Sequence, residues 1–192
     1  MRTPSEYSLM KLLFAGVCLI TATTERTTLE AQVRAPIVVS EAGVGPLNGK
    51  TESSVRHIAA LFPGLKVVAG KDMSEGIEYP TVEVRDGSTV LLQILPEDNN
   101  NGIRVIMIRS SKVQHRGAGH VGSRYLEIFG NKVSDQCEFG AEEYSDNVIC
   151  PASFKSHTYF IFEPVGSGTN GELPSIDRIK NARVIEMSWS PR

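Results

Sequence analysis

Asp86-Gly87 stands between residues 81–85, whose character alternates, and a return segment, residues 89–95. That dipeptide favours the positive backbone angles that a two-residue antiparallel turn demands. The middle of the chain is thereby committed to antiparallel sheet, with Val82 and Val84 on one side of their strand and polar neighbours on the other. A short strand is read over residues 66–69. Ile103–Ile108 is apolar nearly throughout, as expected of a central strand, and follows the polar loop EDNNNG. Further strands are read at residues 136–139, 147–150, 157–162 and 183–185.

Helical periodicity is confined to short stretches. Over residues 51–62, Val55, Ile58, Ala59 and Phe62 share one face. Thr51 is placed as N-cap with Glu52 in the first turn, and Pro63-Gly64 ends the helix. Ser123 is read as the cap of a second helix over 123–129, closed by Gly130, and Ser175 as the cap of a third over 176–182. The fold class is therefore α+β, an antiparallel sheet with a few short helices. The order of helix then strands occurs twice. Gly43-Val44-Gly45 precedes the first helix and Gly117-Ala118-Gly119 the second, and Arg104-Val105-Ile106 recurs as Arg183-Val184-Ile185. This suggests two similar units, 37–112 and 113–192, within a single domain 37–192.

The N-terminus reads as an address. Arg2 and Lys11 precede the apolar run LLFAGVCLITA at residues 12–22. A membrane span needs roughly 20 apolar residues; this shorter run suits the core of a secretory signal, with Ile20 and Ala22 placed for cleavage after Ala22. Residues 1–22 are read as signal peptide and 23–36 as linker. Cys18, in Ala15-Gly16-Val17-Cys18, offers a degenerate lipidation site. The expectation is an exported, periplasmic chain with no transmembrane span after processing. It would be free or lipid-anchored according to the fate of Cys18.

In that oxidising compartment Cys137 and Cys150 are read as a disulfide closing a short loop, a contribution of about 3 kcal/mol. A zinc site would need four ligands, and neither Cys-x-x-Cys nor a closely spaced histidine pair accompanies them. The formal charge of −2 excludes a strongly basic nucleic-acid binder.

Of four histidines, His57 lies on the first helix and His157 on a strand. His115 and His120 flank Arg116 and a glycine turn, and with Glu127 or Glu142 could form a polar site for acid–base work. Their spacing matches no standard metal-ligand pattern. Gly166-Ser167-Gly168-Thr169-Asn170-Gly171 has dinucleotide-loop spacing, but Glu172-Leu173-Pro174 interrupts the helix such a site requires. It is read as a loop. No G-x-S-x-G elbow occurs. Glu138, Glu142, Glu143 and Asp146 lack calcium-loop spacing and read as a solvated loop. Arg104, Arg109, Lys112 and Arg116 do not share one strand face. No catalytic residue, metal or cofactor is assigned.

Several of these features occur together in order. Gly43-Val44-Gly45 lies ahead of a helix, Phe129-Gly130 ahead of Cys137 and its partner Cys150, then Leu173-Pro174-Ser175, then a C-terminal strand with Trp189. The set resembles the RpoE-regulated lipoprotein family, small bacterial envelope proteins without a known activity, over residues 39–192. The resemblance implies an exported envelope protein of α+β fold and supplies no catalytic residues. Family members carry a lipobox, for which this chain has only the poor match ending at Cys18. Two functions of different class follow: a non-catalytic module binding an unknown envelope component, or a small periplasmic hydrolase using His115 or His120 with a carboxylate.

Overall fold

Successive side chains of a strand reach opposite faces of its sheet, and here both faces of the main sheet bury apolar residues. The computed structural model describes residues 35–74, 76–98, 101–117, 119–166 and 173–191. The signal-peptide reading, Cys18 and the glycine-rich loop beyond Gly166 lie outside the described residues. The chain runs β1 (Ile37–Ser40), β2 (Gly43–Val44), α1 (Val55–Leu61), β3 (Lys66–Ser74), β4 (Ile77–Asp86), β5 (Thr89–Pro96), β6 (Ile103–Ile108) and β7 (Val113–His115). It continues with α2 (Tyr125–Phe129), β8 (Glu138–Phe139), a 3-10 turn (Glu142–Tyr144), β9 (Asn147–Pro151), β10 (Thr158–Pro164), α3 (Ile176–Ile179) and β11 (Val184–Trp189).

Eight strands form one antiparallel sheet in the order β3-β4-β5-β6-β11-β10-β9-β8. Strands β3 to β6 and β8 to β11 are each a four-stranded meander, and the two meet at β6 and β11, with Ile108 opposite Met187 and Ile106 opposite Trp189. A second sheet, β2-β1-β7, pairs β1 with β7 in parallel. The first face of the large sheet carries Val82, Val84, Leu92, Ile94, Ile106, Ile108, Phe160, Phe162, Met187 and Trp189, all buried. They form one core with Ile58 and Phe62 from the α1 region, Tyr125 of α2, Ile179 of α3, and Val39, Val44 and Val113 of the small sheet. Gly43 shows why the first glycine motif is needed: a Cβ there would lie 1.8 Å from the carbonyl oxygen of Leu47.

The fold is more sheet-dominated than the α+β reading implies, and most corrections are shorter helices and longer strands. Helix α1 starts at Val55, not near Thr51. Ser54 is its cap, accepting from the His57 amide, while the Thr51 hydroxyl accepts from the Asn48 amide in the preceding turn. Helix α2 starts at Tyr125 with a reciprocal Arg124–Glu127 arrangement; the Ser123 hydroxyl accepts from the His120 amide instead. Ser175 precedes α3 without a side-chain capping bond, and α3 is a single turn. β3 extends to Ser74 because β4 pairs with it along its whole length. β8 is only two residues, shorter than the segment 136–139. The Arg-Val-Ile repeat does not mark equivalent positions: Ile106 is buried in β6, whereas Ile185 is exposed at a bulge of β11 that no residue of β10 opposes. β11 itself runs on to Trp189, beyond the segment 183–185.

Candidate functional site

The second face of the large sheet is not flat to solvent. A flat sheet of eight strands would hold its edge strands about 34 Å apart. Yet Ser74 Oγ at the end of β3 donates to Glu143 Oε1 in the β8–β9 connection, at 3.5 Å. The two edges of the sheet therefore meet over this face, and the sheet is rolled with the face inward. Ile161 of β10 is buried there. Between the edges lies a cavity of about 380 Å³.

Most strands of the sheet send a side chain to it. β3 supplies Asp72 and Met73, β4 supplies Tyr79, and the β8–β9 connection supplies Glu143 and Tyr144. Met107 and Arg109 from the β6 region, Tyr159 of β10, and Glu186 and Ser188 of β11 form the floor. Glu186 is 4% exposed. A carboxylate so buried needs a partner, and Arg109 Nε donates to Glu186 Oε2 at 2.5 Å. Arg109 also donates to Gln93 Oε1 at 2.8 Å. The Tyr144 hydroxyl donates to the Glu186 carboxylate at 3.4 Å.

Burial pushes the Glu186 carboxyl above the usual carboxylate range; the Arg109 charge and hydrogen bond oppose this without cancelling it. Desolvation loosens the Arg109 proton, but Glu186 outweighs it, so the guanidinium is held above its ordinary value. Burial and then Glu186 raise the Tyr144 phenol, and burial and then Asp72 raise that of Tyr79.

The sign of the Glu186 effect sets a pH test. The folded chain holds this proton more tightly than the unfolded one. Stability is therefore lost as pH rises from the unfolded carboxyl value, about 4.3, through the raised folded value. Replacing Glu186→Gln removes that loss. The stability of the variant relative to the parent is expected to improve between pH 4 and pH 7 in urea titrations. A difference that does not change with pH contradicts the assignment.

The residues singled out from sequence sit elsewhere, with two exceptions. His115 packs its ring edge-on to Phe160, centroids 5.6 Å apart, and its Nδ1 accepts from the Gly117 amide. His120 Nδ1 lies 2.6 Å from Ser123 Oγ. Glu127 accepts from the backbone and side chain of Arg124. His57 lies beside Glu52, and His157 stacks on Trp189 with Nδ1 2.8 Å from the Ser190 carbonyl. Among the described residues no three His, Cys, Asp or Glu are grouped to hold a metal ion. Arg104 pairs with Asp98 and Lys112 with Asp86. The exceptions are Arg109 and Glu143. The first was one of a scattered basic set and the second one of a solvated acidic loop; the rolled sheet brings both to the cavity. Tyr79, Tyr144, Tyr159 and Glu186 carried no motif. The usable signal was Glu186 itself, a charged residue inside the apolar strand VIEMSW.

Cys137 and Cys150 form a disulfide. The β8–β9 register, with Glu138 opposite Ile149, places the two cysteines directly across from each other.

An antiparallel sheet rolled around a polar cavity, backed by a helix-covered core, is the class this chain represents. The chain belongs to the family described as "Protein of unknown function (DUF1131)", whose model matches residues 31–191. It is 25% identical over 152 residues to "Uncharacterized protein YfeY" of Escherichia coli (strain K12), a match covering 79% of this chain and 78% of that protein. The crystal structure of the uncharacterized protein yfeY from Escherichia coli shares the fold, with a TM-score of 0.62 at 23% identity over 82% of this chain and 100% of that one. No helix among the described residues is long and apolar enough to cross a membrane.

Proposed function

We propose that this chain is a non-catalytic, exported protein of the cell envelope that binds a partner or ligand on the inward face of its rolled sheet. The observation carrying this reading is the cavity over Glu186 and Arg109, where polar groups from both sheet edges converge. A concave site with few, fixed polar groups and a perturbed carboxyl is the form binding sites commonly take. Export rests on the leader at residues 1–22, and the Cys137–Cys150 bridge fits an oxidising compartment. Membership of the RpoE-regulated lipoprotein family and anchoring through Cys18 belong to the same proposal. They rest on the ordered set of glycine, cysteine and tryptophan positions described above.

A pull-down from envelope fractions tests the reading when run with the parent and with Ser188→Trp, whose indole would fill the cavity. Recovery by the parent and loss in the folded variant is the expected result. No recovery by either, together with reproducible turnover in a hydrolase panel that Ser188→Trp leaves unchanged, would sink it.

A further inference from the structure

We infer that this cavity receives a cationic group carried on an apolar stem, an ammonium of the alkylamine kind. The inference rests on the reading of the cavity as the binding site. Three carboxylates, Asp72, Glu143 and Glu186, line the cavity against one guanidinium, Arg109. That guanidinium is spent within the floor: it donates to Glu186, to Gln93 and, at 3.8 Å, to Met107 Sδ. The neighbouring cation Lys71 is paired with Glu78. Among the described residues no ion pair joins Asp72 or Glu143 to a Lys, Arg or His. Asp72 accepts from the Met73 amide and Glu143 from the Ser74 hydroxyl, both neutral donors.

The geometry gives those carboxylates a shared target. They belong to opposite edges of the sheet and are brought over one cavity by its roll. The Tyr79 phenol lies in the field of Asp72 and Glu143, with smaller opposing contributions from Arg109 and Glu186, so these two carboxylates act on one region. Tyr79, Tyr144 and Tyr159 supply aromatic surface, and a ring face attracts a cation. Met73, 65% exposed at the rim, and Ile149 on the wall offer apolar surface to a stem. An anion would meet the opposite arrangement: an excess of carboxylate and an arginine already engaged. A second cavity of about 550 Å³, sharing Tyr79 and lined by Pro80, Leu95 and Pro96 together with Glu97 and the Asp98–Arg104 pair, leaves room for the remainder of a longer ligand.

The same ammonium chemistry is offered by a lysine side chain of a polypeptide and by a free polyamine. Amide chemical-shift titrations of the folded chain separate these sources with four probes: spermidine, a capped Gly-Lys-Gly peptide, and its glutamate and norleucine counterparts. The expected result is that a cationic probe shifts the amides of Met107, Tyr144 and Ser188 and the anionic peptide does not. The double variant Asp72→Asn/Glu143→Gln should retain the parent spectrum and bind about tenfold more weakly. Tyr159→Leu serves as a second variant that leaves every carboxylate in place. The peptide binding alone assigns the lysine source, and spermidine alone the free amine. If the glutamate or norleucine peptide shifts the same amides as strongly as the lysine peptide, the cationic inference is overturned while the cavity reading stands. If no probe shifts them, the cationic inference is overturned, and the photocrosslinking below judges the cavity reading separately.

Discussion

Phe160→Ala is expected to cost about 3–5 kcal/mol. Phe160 is fully buried on the core face of β10, between Cys150 on β9 and Met187 on β11. Its ring meets His115 from the small sheet, centroids 5.6 Å apart, and Phe129 from α2, centroids 6.1 Å apart. The large sheet, the small sheet and α2 all close on this one ring. A cavity left there is bounded by hydrogen-bonded strands on two sides and cannot readily collapse, which is the circumstance in which truncation is most costly. Urea unfolding followed by circular dichroism measures the loss. A cost below about 1 kcal/mol would contradict the packing described.

Removing the disulfide as Cys137→Ser/Cys150→Ser is expected to destabilise the chain by about 2–4 kcal/mol without abolishing the fold. Both cysteines belong to the core, but the remaining apolar contacts among the other strands and the helices persist without the bridge. The local consequence is larger. β8 is held by only two paired positions, Glu138 with Ile149 and Phe139 with Val148. The connection that follows carries Glu143 and Tyr144 to the rim of the cavity. Without the bridge this edge loses its main fixed point. The double variant should therefore show increased amide exchange over residues 138–146, with little change in β4 to β6. Uniform loosening of the whole chain would show that the bridge supports the core rather than the rim. Peptide mapping under non-reducing conditions should recover Cys137 joined to Cys150 from exported protein, and two free thiols would remove both the bridge and its support for export.

How much of this was legible depended on how local each signal was. The Asp86-Gly87 turn and the apolar run at Ile103–Ile108 announced a hairpin and a central strand, and both are present with those central residues. β3 was cut short because Gly70 to Ser74 has no apolar alternation; its strand character comes from pairing with β4, a partner whose full extent no local pattern reveals. β1 and β7 are a few residues each and pair in parallel across a long stretch of sequence, which leaves no hairpin signature. Thr51 was a reasonable cap by type, but the hydroxyl that starts a helix is the one whose backbone turns there, and that residue is Ser54.

The cavity was the least legible part. Parity along β6 cannot say that one face of an open sheet will roll inward, nor that a bulge at Arg104 interrupts the alternation. Glu143 looked solvated because its own segment is polar. Its role depends on contact with Ser74, which lies at the far edge of the sheet. Glu186 is buried for the same reason, since β3 and the β8–β9 connection close over it.

Site-specific photocrosslinking in the intact envelope tests the central claim most directly. A benzoylphenylalanine placed at Met73, on the rim of the cavity, is compared with one at Phe154, which is 72% exposed and does not line it. A discrete adduct from position 73, absent from position 154 and suppressed when Ser188→Trp fills the cavity, is the result expected. Adducts from position 154 alone, or from position 73 regardless of the tryptophan, would place binding elsewhere on the molecule and contradict the account.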